Sequence, residues 1–182
     1  MRLARCFAVA LACAALPAAA VPAAAQSSQP AATRNADVDA FARAATENSL
    51  SEVLLSAMAL QKTQDKRVED YAWTMLDHHA RAMGDLAEAL SPGAAPLPTE
   101  PNAQQQAELR RMRAMSGAEF DRAYFPHQLE AHGRAIQLFE GATRLPDAKV
   151  AGYAASTAPV LRAHREIAQF KQSQPADPLP AE

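Results

Sequence analysis

The chain has 182 residues and a formal net charge of −2 at pH 7, and 49% of its residues are hydrophobic. This length and composition fit one domain with a single core. The weakly acidic charge argues against nucleic acid as a partner, because nucleic-acid-binding domains carry a basic excess.

The first 25 residues have the pattern of a secretory signal peptide. Arg2 and Arg5 precede an uncharged run that begins at Cys6 and ends in alanines at Ala25. A membrane-spanning helix is the alternative because the run is long enough, but it is mostly alanine, which drives insertion weakly. A lipoprotein signal ending at Cys13 is a second alternative. We predict cleavage and export to the periplasm or cell envelope, with no transmembrane helix in the mature chain.

Both cysteines of the chain lie inside this predicted signal peptide. A mature chain without cysteine excludes a disulfide framework, thiolate metal sites and cysteine nucleophiles. It would carry 16 basic and 20 acidic residues, a net charge of −4. Residues 26–36 are predicted to form a flexible leader and residues 172–182 a disordered, proline-rich tail, so the folded domain spans 37–171.

The domain is predicted to be all-α, because no stretch alternates with a period of two and glycine is scarce. The first helix spans about 37–63, with Asn35 as its N-cap. The second runs from a turn near Asp65 to about Leu90. Its apolar stripe is unbroken: Val68, Ala72, Met75, His79, Ala82, Leu86 and Ala89. A short helix, about 102–115, follows a loop with four prolines.

The fourth helix opens on the capping-box sequence Ser116-Gly117-Ala118-Glu119 and continues to about Thr143. The fifth is predicted to begin at Pro146, a favourable residue for a first helical turn. Pro159 lies inside it, so a kink is expected there. Two long helical hairpins joined by a long connection predict an up-down four-helix bundle, with the short helix before the second hairpin.

Four polar residues interrupt the apolar seams of the four long helices: Glu52, His79, His132 and His164. Seam positions face the core, where an unpaired polar group is costly, so each residue needs a partner. Helical rise predicts their depth if both hairpin turns lie at the same end of the bundle. That assumption gives one tier of Glu52, His79 and His132, and a second tier of His164, Gln128 and Tyr124. Either a loose shared site or two neighbouring polar clusters would fit this arrangement.

A carboxylate and histidines from different helices can hold a first-row transition metal such as iron, manganese or zinc. Bundle di-iron centres also need a Glu-x-x-His motif on two helices. The residues three before His79, His132 and His164 are leucines, so we do not expect a di-iron centre.

The alternative is a buried hydrogen-bond network in which Glu52 accepts from His79 or His132. A further alternative concerns Glu52 alone, since Ser49 and Glu52 also fit a capping box that would divide the first helix. His78 and His127 fall off the seams and are predicted to be solvated.

Several spaced motifs resemble one known family across residues 37–168. They are Glu52-Val53-Leu54-Leu55, Met58-Ala59, Lys62, Val68, Tyr71-Ala72, Met75-Leu76, His79, Gly117, Phe120-Asp121, Tyr124, Gln128, His132, Pro159 and His164. In these the chain resembles the domain of unknown function 4142 family, exported bacterial proteins often labelled putative outer membrane proteins.

The resemblance implies a ferritin-like bundle in the periplasm or cell envelope, without a settled activity. It implies Asp121, Tyr124 and Gln128 as polar-core residues beside Glu52 and the three seam histidines. The family usually has Asp immediately before the histidine of the second helix, whereas this chain has His78 there.

Two functional hypotheses follow, and a third is weaker. The first is a non-enzymatic envelope protein whose Glu52 and histidines are structural. The second is a protein that stores, buffers or senses a transition metal through Glu52, His79, His132 and His164. The third is a redox enzyme that uses such a metal. The sequence identifies no substrate, physiological partner or oligomeric state.

Overall fold

The computed structural model describes residues 31–179, with side chains from residue 36 onward. The predicted signal peptide, residues 26–30 of the predicted leader and the last three residues lie outside this range. Within it, five helices occur and no β-strand: α1 (Ala31–Lys62), α2 (Lys66–Ala89), α3 (Ala103–Ala114), α4 (Gly117–Ala142) and α5 (Ala148–Ser173). The prediction of an all-helical chain is therefore confirmed. None of the helices in the described range is both long and apolar enough to cross a bilayer.

Side-chain caps define the start of the later helices. Asn102 caps α3 and Ser116 caps α4, each in a complete capping box, and the second of these boxes was predicted. The predicted start of α5 at Pro146 is wrong. Asp147 caps this helix by accepting from the backbone N–H groups of Lys149 and Val150, so Pro146 precedes the helix.

Helix α1 begins earlier than the sequence pattern predicted. It starts at Ala31, inside the predicted leader and before the predicted cap at Asn35. Alanine has the highest intrinsic helix propensity, and the segment before Asp37 is alanine-rich. Helix α1 also continues without a break through Ser49 and Glu52, so the capping box proposed there does not form.

The two hairpin turns lie at opposite ends of the molecule. Asp121, in the first turns of α4, accepts from Thr63 Oγ1 at 2.6 Å in the α1–α2 turn. At the other end, Phe41 of α1 packs edge-on against Phe139 of α4, with ring centroids 5.1 Å apart. Helix α4 therefore starts beside the α1–α2 turn and runs away from it.

The connection between the hairpins spans the length of α1, and α3 forms its second half. Asn102 Nδ2 donates to Glu47 Oε2 at 3.1 Å, and further along Lys62 Nζ donates to the backbone oxygen of Met115 at 2.6 Å. Helix α3 thus runs parallel to α1. This crossing brings the chain back to the α1–α2 turn before α4 begins.

The predicted disordered tail, 172–182, is tied down as far as residue 179. Helix α5 continues to Ser173, and Lys66 N then donates to Asp177 O at 2.6 Å, while Leu179 N donates to Gln64 O at 2.9 Å. Buried Asp65 pairs with Arg67, whose guanidinium also donates to Lys171 O at 2.9 Å. The tail is therefore docked on the α1–α2 turn.

The apolar core forms two clusters at the two ends of the helices. One surrounds Phe41, Phe139 and Leu161, and the other surrounds Tyr71 and Phe120. The buried seam histidines belong to neither cluster. A polar layer therefore lies between two apolar regions, about midway along the helices.

A candidate metal centre in the core

All four seam residues singled out by the sequence are buried. The exposed fraction is 6% for Glu52, 6% for His79, 1% for His132 and 3% for His164. The inward orientation predicted from helical periodicity is therefore confirmed for each of them. The contacts between these four side chains determine whether they form one site.

The three seam histidines form one cluster. One ring nitrogen from each of His79, His132 and His164 lies within 4.8 Å of the corresponding nitrogens of the other two. The ring centroids are 5.4–5.7 Å apart. We call these three residues the histidine triad. Its members come from α2, α4 and α5.

The predicted division into two tiers is wrong for His164. The calculation assumed that both hairpin turns lie at one end of the bundle, whereas they lie at opposite ends. Helix α5 therefore runs antiparallel to α2 with its C-terminal half beside the N-terminal half of α2, and Tyr71 Oη donates to His164 O at 3.2 Å. His164 consequently lies at the level of His79 and His132.

Each triad member has one buried ring nitrogen without a hydrogen-bond partner. His132 Nδ1 lies 3.1 Å from the backbone oxygen of Gln128, a pure acceptor, so Nδ1 carries the hydrogen and Nε2 has the lone pair. The nitrogens that are buried and unpartnered are His79 Nε2, His132 Nε2 and His164 Nδ1. Such atoms are costly in a core unless something binds them.

Burial keeps at least two of these rings neutral. Desolvation, followed by the neighbouring rings of His132 and His78, lowers the pKa of His164 to about 3. Desolvation, together with the other triad rings, also lowers the pKa of His79 well below its ordinary value. A metal requires neutral imidazole as ligand, and at neutral pH these rings are in that form.

Glu52 is not a member of the triad. Its Oε2 accepts from Gln128 Nε2 at 2.8 Å, so the predicted hydrogen bond from His79 or His132 does not form. Gln128 links the two groups, because its side chain holds Glu52 while its backbone oxygen holds His132.

The other predicted polar-core residues have different surroundings. The prediction of Asp121 as a polar-core residue is wrong. Its carboxylate accepts hydrogen bonds from the Thr63 hydroxyl and from the backbone N–H of Gln64 at the α1–α2 turn. Tyr124 is fully buried. Burial is the larger cause that raises the pKa of its hydroxyl, and the nearby charge of Glu52 is the smaller one. Its hydroxyl has no hydrogen-bond partner.

Two residues that contact the triad were not singled out from the sequence. Tyr71 binds His164 O, and His78, predicted to be solvated, places Nδ1 2.8 Å from His164 Nε2 although its residue is exposed overall. Tyr71, Met75, His78 and Ala82 follow one another at steps of four, three and four. This second series shares Met75 and Ala82 with the main stripe of α2 and places Tyr71 and His78 along one edge of its buried face.

Two small cavities border the triad. One has a volume of about 30 Å³ and is lined by Glu52, His79 and His132 among others. The second, also about 30 Å³, is bounded by His78, His79 and His164 and by mainly apolar side chains. Each is large enough for one water molecule and far too small for a cluster of ions.

The donor set of the triad fits a transition-metal ion. Three imidazole nitrogens around one tetrahedral zinc ion at about 2.0–2.1 Å lie about 3.4 Å apart. The nitrogens of His79, His132 and His164 lie within 4.8 Å of one another, so closing onto an ion requires ring movements of roughly 1 Å. Side-chain rotation of that size needs no change in the helices.

These observations define an all-helical protein with a buried histidine triad at the centre of its core. The chain belongs to the family described as domain of unknown function (DUF4142), whose model matches residues 21–170. The resemblance inferred from the spaced motifs is thereby confirmed. Neither the curated proteins nor the solved structures include a match to this chain.

Proposed function

We propose that this protein is an exported, ferritin-like helical bundle that binds one transition-metal ion through His79, His132 and His164. The observation that carries the proposal is a cluster of three buried histidines with ring nitrogens within 4.8 Å of one another, in which each ring has one buried nitrogen without a hydrogen-bond partner. A network that only fixed the fold would pair these nitrogens with donors. A shared ion is a partner to which three lone pairs can donate together.

The ligand set favours particular ions. Imidazole suits zinc, iron, copper and nickel, whereas manganese and magnesium prefer carboxylate and water oxygens. The triad contains no carboxylate, and Glu52 is held by Gln128. We therefore favour zinc or ferrous iron over manganese. A water in the cavity beside His79 and His132 would complete four ligands, a number that zinc accepts readily.

The surroundings of the triad favour buffering or sensing over storage. The adjoining cavities of about 30 Å³ each leave no space for a mineral or a second ion. One ion held by three histidines of a single chain suits stoichiometric binding. The ferritin-like arrangement is supported by the two hairpins and by the long connection that crosses the molecule between them.

A purely structural role fits the hydrogen-bonded pair of Glu52 and Gln128. Gln128 Nε2 donates to Glu52 Oε2 across α1 and α4 at 2.8 Å, and Gln128 Oε1 is buried without a hydrogen-bond partner. We assign this pair to stability, and we assign metal binding to the triad alone.

Elemental analysis of the untagged protein, purified without chelator, tests the proposal. We expect close to one equivalent of zinc or iron per chain. His79→Gln and His132→Gln should each abolish it, while Gln137→Ala, at an exposed position of α4, should retain it. Circular dichroism establishes that each variant is folded. Absence of metal in the wild type, with no rise in melting temperature on adding zinc or ferrous iron, would refute the proposal.

A further inference from the structure

His78 is exposed overall, yet its ring contacts one of the buried triad members. Its Nδ1 lies 2.8 Å from His164 Nε2, and the two rings stack with centroids 5.0 Å apart and planes 27° apart. At that distance one imidazole donates a hydrogen bond and the other accepts it. The direction of this bond decides what the other nitrogen of His164 can do.

Two arrangements of the pair are available to neutral rings. If His164 donates from Nε2, its Nδ1 has a lone pair directed into the core. If His78 donates instead, the hydrogen of His164 must sit on Nδ1, which then cannot bind a metal. His164 Nδ1 is buried and has no hydrogen-bond partner, so a hydrogen there would be an unpaired buried donor. His78 faces solvent and can place its own N–H in water. The first arrangement therefore has the lower cost.

We propose that His78 is a positioning residue for the metal centre. By accepting from His164 Nε2, it holds the ring in place and leaves the Nδ1 lone pair for the ion. The inference rests on the proposed metal-binding function. Metal-bound histidines commonly donate their other ring N–H to an outer partner, and loss of that partner weakens binding about 10–100-fold.

Among the described residues, His78 is the hydrogen-bond partner of His164 Nε2. The cavity beside the pair is bounded mainly by apolar side chains such as Ala82, Val160 and Leu161, with Asn48, Ser49 and Thr157 also in its lining. Water or one of these polar side chains is the remaining substitute acceptor. Removal of the His78 ring should therefore weaken binding without abolishing it.

Cobalt titration of the full chain tests the proposal. Visible absorption of Co²⁺ reports both affinity and coordination geometry, and zinc competition extends the measurable range. His78→Ala should weaken binding about 10–100-fold. His78→Asp supplies an acceptor at the same position and should recover most of the affinity. Gln137→Ala changes an exposed position of α4 and should match the wild type. An affinity for His78→Ala within twofold of the wild type, or His78→Asp as weak as His78→Ala, would overturn the inference.

A measurement without metal separates this inference from the proposed function. Long-range ¹H–¹⁵N correlation spectra assign the hydrogen of each neutral imidazole. In metal-free wild type we expect the His164 hydrogen on Nε2, and in His78→Ala a mixture of both forms. A hydrogen on Nδ1 in the wild type would contradict the role of His78, whatever the protein binds. Failure of the wild type to bind Co²⁺ would instead count against the proposed function.

Discussion

Gln128 and Glu52 meet across the interface of α4 and α1, with the amide nitrogen of Gln128 2.8 Å from Glu52 Oε2. Both residues are buried, with exposed fractions of 6% for Glu52 and 0% for Gln128. The same Gln128 accepts from His132 through its backbone oxygen, one turn before the ring enters the triad. One residue therefore connects the carboxylate to the candidate metal centre.

Loss of this pair should destabilise the fold with or without metal. Gln128→Leu would leave the Glu52 carboxylate buried without its donor, so we expect the free energy of unfolding to fall by about 1–3 kcal/mol. Gln137→Leu, at an exposed position of the same helix, is the matched control and should change it little. Urea denaturation measures the stability of both variants. Far-ultraviolet circular dichroism is the better probe of unfolding, because the single tryptophan, Trp73, is 58% exposed and its fluorescence reports weakly on the core. Equal midpoints for the two variants would contradict the prediction.

Metal should stabilise the wild type against heat. Binding to the native state alone adds about 2.7 kcal/mol at a free metal concentration of 100 times Kd. For a domain of this size, that corresponds to a rise in melting temperature of about 5–10 °C. His132→Gln should lose the rise while keeping a cooperative transition in the presence of chelator. A scan with and without zinc, at equal protein concentration, makes the comparison. A rise of the same size in the variant would show that the ion binds elsewhere.

The metal-free protein should lose stability below neutral pH. Histidine in an unfolded chain titrates near pH 6.5, whereas burial lowers the pKa of His164 to about 3. Between these values the unfolded state binds more protons, so the free energy of unfolding falls as pH falls, by about 1.4 kcal/mol per pH unit for each such histidine. Above pH 6.5 this histidine is neutral in both states, so the free energy of unfolding is at its highest there. The lowered pKa of His79 makes stability depend on pH in the same direction.

Urea midpoints at pH 7.5, 6 and 5 in chelator measure this dependence. His164→Leu removes one buried imidazole and should have a shallower slope than the wild type, by about 1.4 kcal/mol per pH unit. The range above pH 5 avoids most carboxylate titration. Parallel slopes for the two proteins would rule out a buried neutral His164 as the cause.

Two aspartate N-caps should differ in their effect on stability. Asp147 caps α5 through backbone N–H groups alone, whereas Asp65 caps α2, pairs with Arg67 and meets the docked tail. Burial opposes ionisation of Asp65, but hydrogen bonds from Arg67 outweigh it and lower the pKa. Asp147→Ala should cost about 1 kcal/mol, the usual value of a cap. Asp65→Ala should cost clearly more, because Arg67 then loses its partner inside the fold. Chemical denaturation of both variants decides the point.

Local pattern was sufficient to identify which faces of the helices point inward. Glu52, His79, His132 and His164 each lie at three- and four-residue spacings from apolar neighbours, and all four are buried. That spacing depends only on the turn of one helix, so it can be predicted without a fold. The caps at Asn102 and Ser116 are equally local, and the second was predicted correctly.

The relative depth of the seam residues could not be derived in the same way. It depends on which end of the molecule each turn occupies, and the path of residues 90–116 along α1 decides that. Contacts such as Asn102 with Glu47 fix this path, and they join residues 55 positions apart. His78 was missed for a related reason. Its ring meets His164 only because α5 packs beside that edge of α2.

One candidate ligand of the triad, His79, lies on the first hairpin, and the other two, His132 and His164, lie on the second. Neither half of the protein contains a full set, and the two halves are joined through the chain only by residues 90–116. An ion held at this position would link the two halves through bonds to both. Retention of the ion would then require that the halves stay together, so its release would serve as a direct signal of their separation.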